Sequence, residues 1–239
     1  MKLGVHMTAF RCERTIIPAI VQFYGIADKI YVACSSKPWF GDLKADNTFK
    51  MAKSTKAVVE EGYWGTEVEQ RNWIQSHLFD VDYVLVAYPD TFYTKEDLKR
   101  LKKFAESATE RQYDVMSKTY WKNYDTIIKP DLLMPATLIK SDVRFADKAT
   151  IENHIPSAPI IPDVVCHHLS WARTDREIKE KISSYGHANE IIDGWYEYVW
   201  KNWRDDMTDF APTNPTDYKY VEKFSLPDEI RKKLKVSYG

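Results

Sequence analysis

Glycine is scarce in this chain, at eight of 239 residues. Neither G-x-G-x-x-G nor G-x-x-x-x-G-K-[ST] occurs, which excludes a glycine-lined backbone cradle for phosphates. A nucleotide bound here would rely on side chains or a metal. G-x-S-x-G and H-E-x-x-H are also absent, removing the serine-hydrolase elbow and the helix-borne zinc site. The three cysteines, Cys12, Cys34 and Cys166, cannot all pair and lack metal-type spacing. The expectation is three reduced thiols in a cytoplasmic protein. No apolar run approaches the ~20 residues of a membrane span, and Met1–His6 has no extended apolar segment of a secretory signal. A dominant charge is lacking too. The net charge is −1, which argues against a protein held to nucleic acid by bulk electrostatics alone.

Aromatic residues, in contrast, are abundant, with 15 Tyr and 8 Trp. Most belong to a core, but such rings also form stacking platforms for bases and sugars. Strand and helix patterns alternate through the first half: strand 3–8, helix 13–24, strand 29–34, helix 66–79, strand 82–87, helix 94–106. That order predicts an α/β fold with a mixed, mainly parallel sheet flanked by helices. Thr66-Glu67-Val68-Glu69 and Thr94-Lys95-Glu96-Asp97 place a hydroxyl three residues before an acid, a helix-starting capping box. The middle of the chain is β-prone at Tyr113–Met116 and Thr126–Ile128, read as strands at the sheet edge because Pro130 and Pro135 interrupt. Residues 141–163 hold Pro156, Pro159 and Pro162 and read as an irregular loop. A third capping box at Thr174–Glu177 opens a helical C-terminal region. Its second helix would carry Ile191, Ile192, Trp195 and Val199 on one face. The expected organisation is a core over 1–173 and a helical extension over 174–239 packed on the same domain.

The most informative stretch is Tyr83–Tyr93. A strand apolar at successive positions is covered on both faces, and ligands of such sheets bind beyond the strands' carboxyl ends, where Asp90 sits. Upstream lies Glu69-Gln70-Arg71-Asn72-Trp73 and downstream His167-His168-Leu169-Ser170-Trp171. Together these resemble the nucleotide-sugar glycosyltransferases of the GT-A fold, and among them small phage-type enzymes, some of which modify DNA. The resemblance spans about residues 3–215. In that family a strand ends in an Asp-x-Asp motif holding a divalent metal and the donor's diphosphate. Here Tyr88 stands at the first acid and Asp90 at the second.

The resemblance implies a divalent cation, Mn2+ or Mg2+, held by Asp90 and His168, with Asp90 also serving the chemistry. It implies a nucleoside diphosphate sugar donor, UDP-glucose by default, contacted by Phe10, Arg11, Glu13, Ser35, Arg71 and Asn72. An Arg11 fork suits a diphosphate, and an Arg11–Glu13 surface pair explains the same residues. His187, Glu190 and Asp193, spaced by three, would share one helix face. His187 would meet the acceptor, and Glu190 or Asp193 would take the proton of its hydroxyl. Interleaved rings and cations at Lys118–Tyr124, above all Trp121 and Lys122, suit a hydroxymethylated base taken out of a DNA stack. A core strand with surface lysines explains that segment equally. A glycan or small-molecule acceptor, and a non-catalytic nucleotide- or glycan-binding module, remain the alternatives. A cytoplasmic setting is expected, that of the host for a phage-encoded chain.

Overall fold

The computed structural model describes residues 1–148, 150–155 and 158–236. The first strand, β1 (Leu3–Ala9), is buried along its whole length. It lies between β2 (Lys29–Ser35) and β4 (Tyr83–Ala87), both parallel to it. β3 (Val58–Gly62) adds to β2 in parallel and forms one edge. Beyond β4 come β8 (Leu132–Lys140), then β6 (Gln112–Trp121) and β11 (Ile160–Trp171). β8 is antiparallel to both of its neighbours, and β11 parallels β6, so this path is mainly parallel with one reversed strand. Short β5 (Thr91–Phe92) pairs antiparallel with β11. β7 (Thr126–Lys129) and β12 (Tyr220–Lys223) extend the sheet from β6.

Helices cover both faces. α1 (Ile16–Val21), α2 (Thr48–Lys53), α4 (Lys95–Ala105) and α6 (Asp228–Val236) pack on one side with the largest apolar cluster, which includes Leu3, Val5, Ile20, Leu98, Leu101 and Ile230. α3 (Glu67–Ser76) covers the other face with the β9–β10 hairpin (Phe145–Asp147 and Thr150–Ile151). α4 and α5 (Asp175–Ile182) both begin with reciprocal capping boxes, Thr94 with Asp97 and Thr174 with Glu177. At α3, Thr66 caps the Glu69 amide, but the Glu69 carboxylate accepts from the Gly65 amide instead. A third cluster is aromatic: Trp121, Trp171, Trp195, Trp200 and Phe210, with Ile128 and Ile178. It joins β6 and β11 to the residues after Thr174. No helix among the described residues is long and apolar enough to cross a membrane.

Several expectations are corrected. β6 is not an edge strand, since β8 and β11 flank it. The second C-terminal helix does not form: a 3-10 turn at Ala188–Glu190 is followed by a π-type turn at Tyr196–Trp200. Gly194 between them has φ +72°, a left-handed conformation that stops a right-handed helix. The loop over 141–163 contains the β9–β10 hairpin, and β11 starts at Ile160 with a register shift before Val165. Pro156 of that loop lies outside the described residues.

Candidate functional site

The loops after β1, β2 and β4, the end of β11 and helix α5 enclose a cavity of about 440 Å³. It lies beyond the carboxyl ends of parallel strands, where α/β sheets take ligands. β4 delivers Asp90 through the turn Tyr88-Pro89-Asp90. Thr91 pins this turn, its hydroxyl accepting from the Tyr88 amide and donating to the Tyr88 carbonyl. The β5–β11 pairing places His168 opposite Thr91, so two segments remote in sequence meet at one point. Strand alternation separates the two histidines. His168 lines the cavity, while His167 turns inward and its Nδ1 lies 3.0 Å from the Tyr120 hydroxyl.

Asp90 is ringed by two cations and an imidazole. Arg173 Nη2 donates to Oδ2 at 2.8 Å, Lys181 Nζ stands 4.0 Å from the same oxygen, and His168 Nε2 is 3.6 Å from Oδ1. Burial by itself would raise the Asp90 carboxyl, but His168, Lys181 and Arg173 outweigh it and hold the group well below the usual carboxylate range. Burial lowers His168 to about 4, with Asp90 opposing. The imidazole is therefore neutral at pH 7. Burial, then Arg173, lowers Lys181 to about 8 against the pull of Asp90 and Glu67.

Arg71 forms the inner wall. α3 turns an unusually polar face to the sheet, with Gln70, Arg71 and Gln75 all buried beside Ile74. Gln70 and Gln75 bind the Ala33 and Ser141 carbonyls. Arg71 donates to Glu67 Oε1 from Nε at 2.9 Å and Nη2 at 2.7 Å, and its guanidinium stands 5.0 Å from the Tyr88 ring. Its remaining nitrogen, Nη1, is buried beside Tyr88, whose hydroxyl interacts with the guanidinium. The outer wall is α5, which crosses the β1–α1 loop on two ion pairs, Glu180 with Arg11 at 2.8 Å and Glu177 with Arg14 at 3.1 Å. Arg11 itself sits at φ +48°, a conformation that costs a non-glycine residue energy and is met most often at functional sites.

Of the residues singled out from sequence, Phe10, Arg11, Ser35, Arg71, Asp90, His168 and His187 line this cavity. Ser35 is committed locally, its hydroxyl donating to the Lys37 carbonyl at 2.5 Å. The others lie elsewhere. Asn72 clamps the Phe145 backbone through both side-chain atoms, and Glu13 accepts from the Asn47 amide. Trp121 is 0% exposed at the centre of the aromatic cluster. Its ring has no face to offer a base, which corrects the stacking role. Lys122 is likewise engaged, donating to the Trp200 carbonyl with its Nζ 3.7 Å from the Trp200 ring centroid. Glu190 is exposed and outside the cavity lining, but it bonds two residues of that lining, His187 through Nδ1 at 2.8 Å and Lys148. Asp193 is exposed and outside the cavity lining, because the helix that was to align it with Glu190 is absent.

Arg173, Lys181, Lys148 and Glu67 were not singled out, yet all line the cavity, as does Tyr88, which the sequence marked only as the missing first acid. A faint signal existed for Lys181, which follows the buried Ile178 by three residues and so shares its helix side.

The residues present do not fit the expected divalent cation. Hard cations need several oxygen ligands, and Tyr88 replaces the first acid. No group of three or more His, Cys, Asp or Glu among the described residues could hold an ion. Asp90 Oδ2 is already engaged by Arg173, and like charge from Arg173 and Lys181 opposes a cation beside it.

No family model and no curated protein matches this chain. Similar solved structures include S. aureus TarS 1-349, with 15% identity over 71% of this chain and 61% of that chain and a TM-score of 0.48. A longer S. aureus TarS structure aligns over 100% of this chain and 53% of that one, at 13% identity and a TM-score of 0.46. Glucosyl-3-phosphoglycerate synthase from Mycobacterium tuberculosis, in complex with Mn2+, UDP and phosphoglyceric acid, has 18% identity over 49% of this chain and 43% of that one, with a TM-score of 0.38. This chain thus spans less than two thirds of the length of each.

Proposed function

We propose that this chain is a GT-A-type glycosyltransferase moving a hexose from a nucleoside diphosphate sugar to a hydroxyl acceptor. One observation carries the reading: beyond the parallel strands, β4 and β11 bring Asp90, His168 and Arg173 together with Lys181 of α5 around a cavity large enough for a nucleotide sugar. UDP-glucose is the default donor by family resemblance. In the transfer, the bond from the sugar's anomeric carbon to the β-phosphate oxygen breaks and leaves its electron pair on that oxygen. The acceptor oxygen bonds the anomeric carbon and loses its proton to a carboxylate. Glu190 is the candidate base at the mouth. Its bonds to Lys148 and His187 hold its carboxyl below the usual range, which keeps it ionised at some cost to its basicity.

Helix α5 contributes Glu177, Glu180 and Lys181 to the cavity lining, in keeping with a C-terminal extension packed on the same domain. A hydroxymethylated pyrimidine in DNA loses the support that Trp121 and Lys122 were expected to give it. It becomes one arm of an acceptor screen beside glycans and small alcohols.

The test is a panel of nucleotide sugars incubated with the protein alone, read by release of free nucleotide. Slow hydrolysis of one donor is expected, and Glu190→Gln should cut transfer to a competent acceptor at least tenfold. Tight donor binding with no turnover across the acceptor screen would instead favour a non-catalytic binding module, a reading the incomplete Asp-x-Asp motif supports.

A further inference from the structure

We propose that Arg173 and Lys181 take the place of the divalent cation, neutralising the donor's diphosphate directly, while Asp90 acts as a positioning residue that holds both cations. This rests on the glycosyltransferase reading above and concerns the charge chemistry of the same cavity.

Three observations converge on it. The carboxylate that would bind a metal is committed to Arg173 at 2.8 Å, with Lys181 at 4.0 Å. Both cations line the cavity, and their side chains are only 15% and 16% exposed. Asp90 with a neutral His168, Arg173 and Lys181 leaves an excess of one positive charge at the end of β4. Among the cavity-lining residues, Arg and Lys outnumber carboxylates six to four, with Lys148 paired to Glu190 just outside the lining.

The chemistry is sufficient. When the sugar–oxygen bond breaks, the electron pair left on the β-phosphate oxygen needs a nearby positive charge. A preorganised guanidinium and ammonium supply it without reorganisation. Arg173 is held by Nε to the Ser170 carbonyl and by Nη2 to Asp90, which leaves Nη1 to meet a phosphate oxygen, and Lys181 offers a point charge. One carboxylate serves both, accepting from Arg173 and drawing the Lys181 ammonium from α5 toward the β4 turn. Arg71, buried across the cavity, is already paired with Glu67 and adds no net charge there.

The experiment measures binding rather than turnover. The full chain is titrated calorimetrically with ADP, GDP, CDP, TDP and UDP, once in EDTA and once in millimolar Mn2+. One diphosphate should bind within about twofold of the same Kd in both buffers, each threefold step being about 0.65 kcal/mol. Arg173→Gln and Lys181→Gln should each weaken it at least tenfold, with Lys181→Arg restoring most of the loss. Melting curves of each variant confirm that it is folded, and the Lys181 pair keeps the test alive if Arg173→Gln does not fold. Binding that needs Mn2+, or that ignores Lys181→Gln, overturns the inference and leaves the glycosyltransferase reading standing. No binding by any diphosphate in either buffer overturns that reading and the inference with it.

Discussion

Asp90 has two jobs that its neighbours reveal together. Its carboxylate faces the cavity, and it also offsets half the charge of two basic side chains that are mostly withdrawn from solvent. Replacing it with Ala would strand Arg173 and Lys181 beside each other, and an uncompensated buried charge is more costly than a lost pair. Both retain some access to water, which reduces the penalty. Asp90→Ala should therefore destabilise the protein by about 1–3 kcal/mol, read as a lower urea midpoint. An unchanged midpoint would mean the two cations relax into solvent freely. The location of Asp90 was legible because a short apolar strand followed by a turn is a local signal. Its partners were not. Arg173 lies 83 residues away, and nothing near Arg173 in sequence records that β11 returns beside β5.

At the scale of elements, the aromatic cluster replaces the predicted acceptor platform. Trp121 contacts the rings of Trp171, Trp195, Trp200, Trp203, Phe210 and Tyr218. Trp121→Ala should cost about 3–5 kcal/mol through lost burial and a cavity, lowering stability and donor binding together. Trp121→Phe should cost clearly less, because it keeps one ring in the cluster and loses an Nε1 that is buried without a partner. Equal losses in the two variants, by chemical denaturation, would show that the indole and not the packing matters. Helix α5 gives a second test. Thr174→Ala removes half of a capping box and should cost about 1 kcal/mol; donor affinity should fall too, since α5 carries Lys181. The capping boxes were readable because they span only four residues. β3 was missed because only Val59 of its five residues is buried, so no apolar run marks it. The misread helix around Trp195 was apolar enough, but a single left-handed glycine outweighs that pattern.

For the whole molecule, acid is the informative perturbation. His6 and His167 are buried, and burial, the largest cause for each, lowers both below 6.5, His167 to about 4. The unfolded chain takes up these protons near pH 6.5 while the native state does not. It therefore binds more protons below that pH, and stability falls as pH drops from about 6.5 toward 4. Urea midpoints at pH 7, 5.5 and 4.5 should decline in that order. A flat profile would indicate that these imidazoles are not neutral in the folded state.

The route by which β11 reaches β5 and β6 has a temporal consequence. During synthesis β1, β2 and β4 are complete early, and Asp90 is made long before Arg173 and Lys181 leave the ribosome. At roughly 5–20 residues per second, the unfinished chain carries an unneutralised carboxylate for several seconds. Contacts of such large sequence separation also form late in folding. The cluster around Asp90 is therefore assembled late: a nascent fragment has the carboxylate, and only the nearly finished protein surrounds it with Arg173 and Lys181.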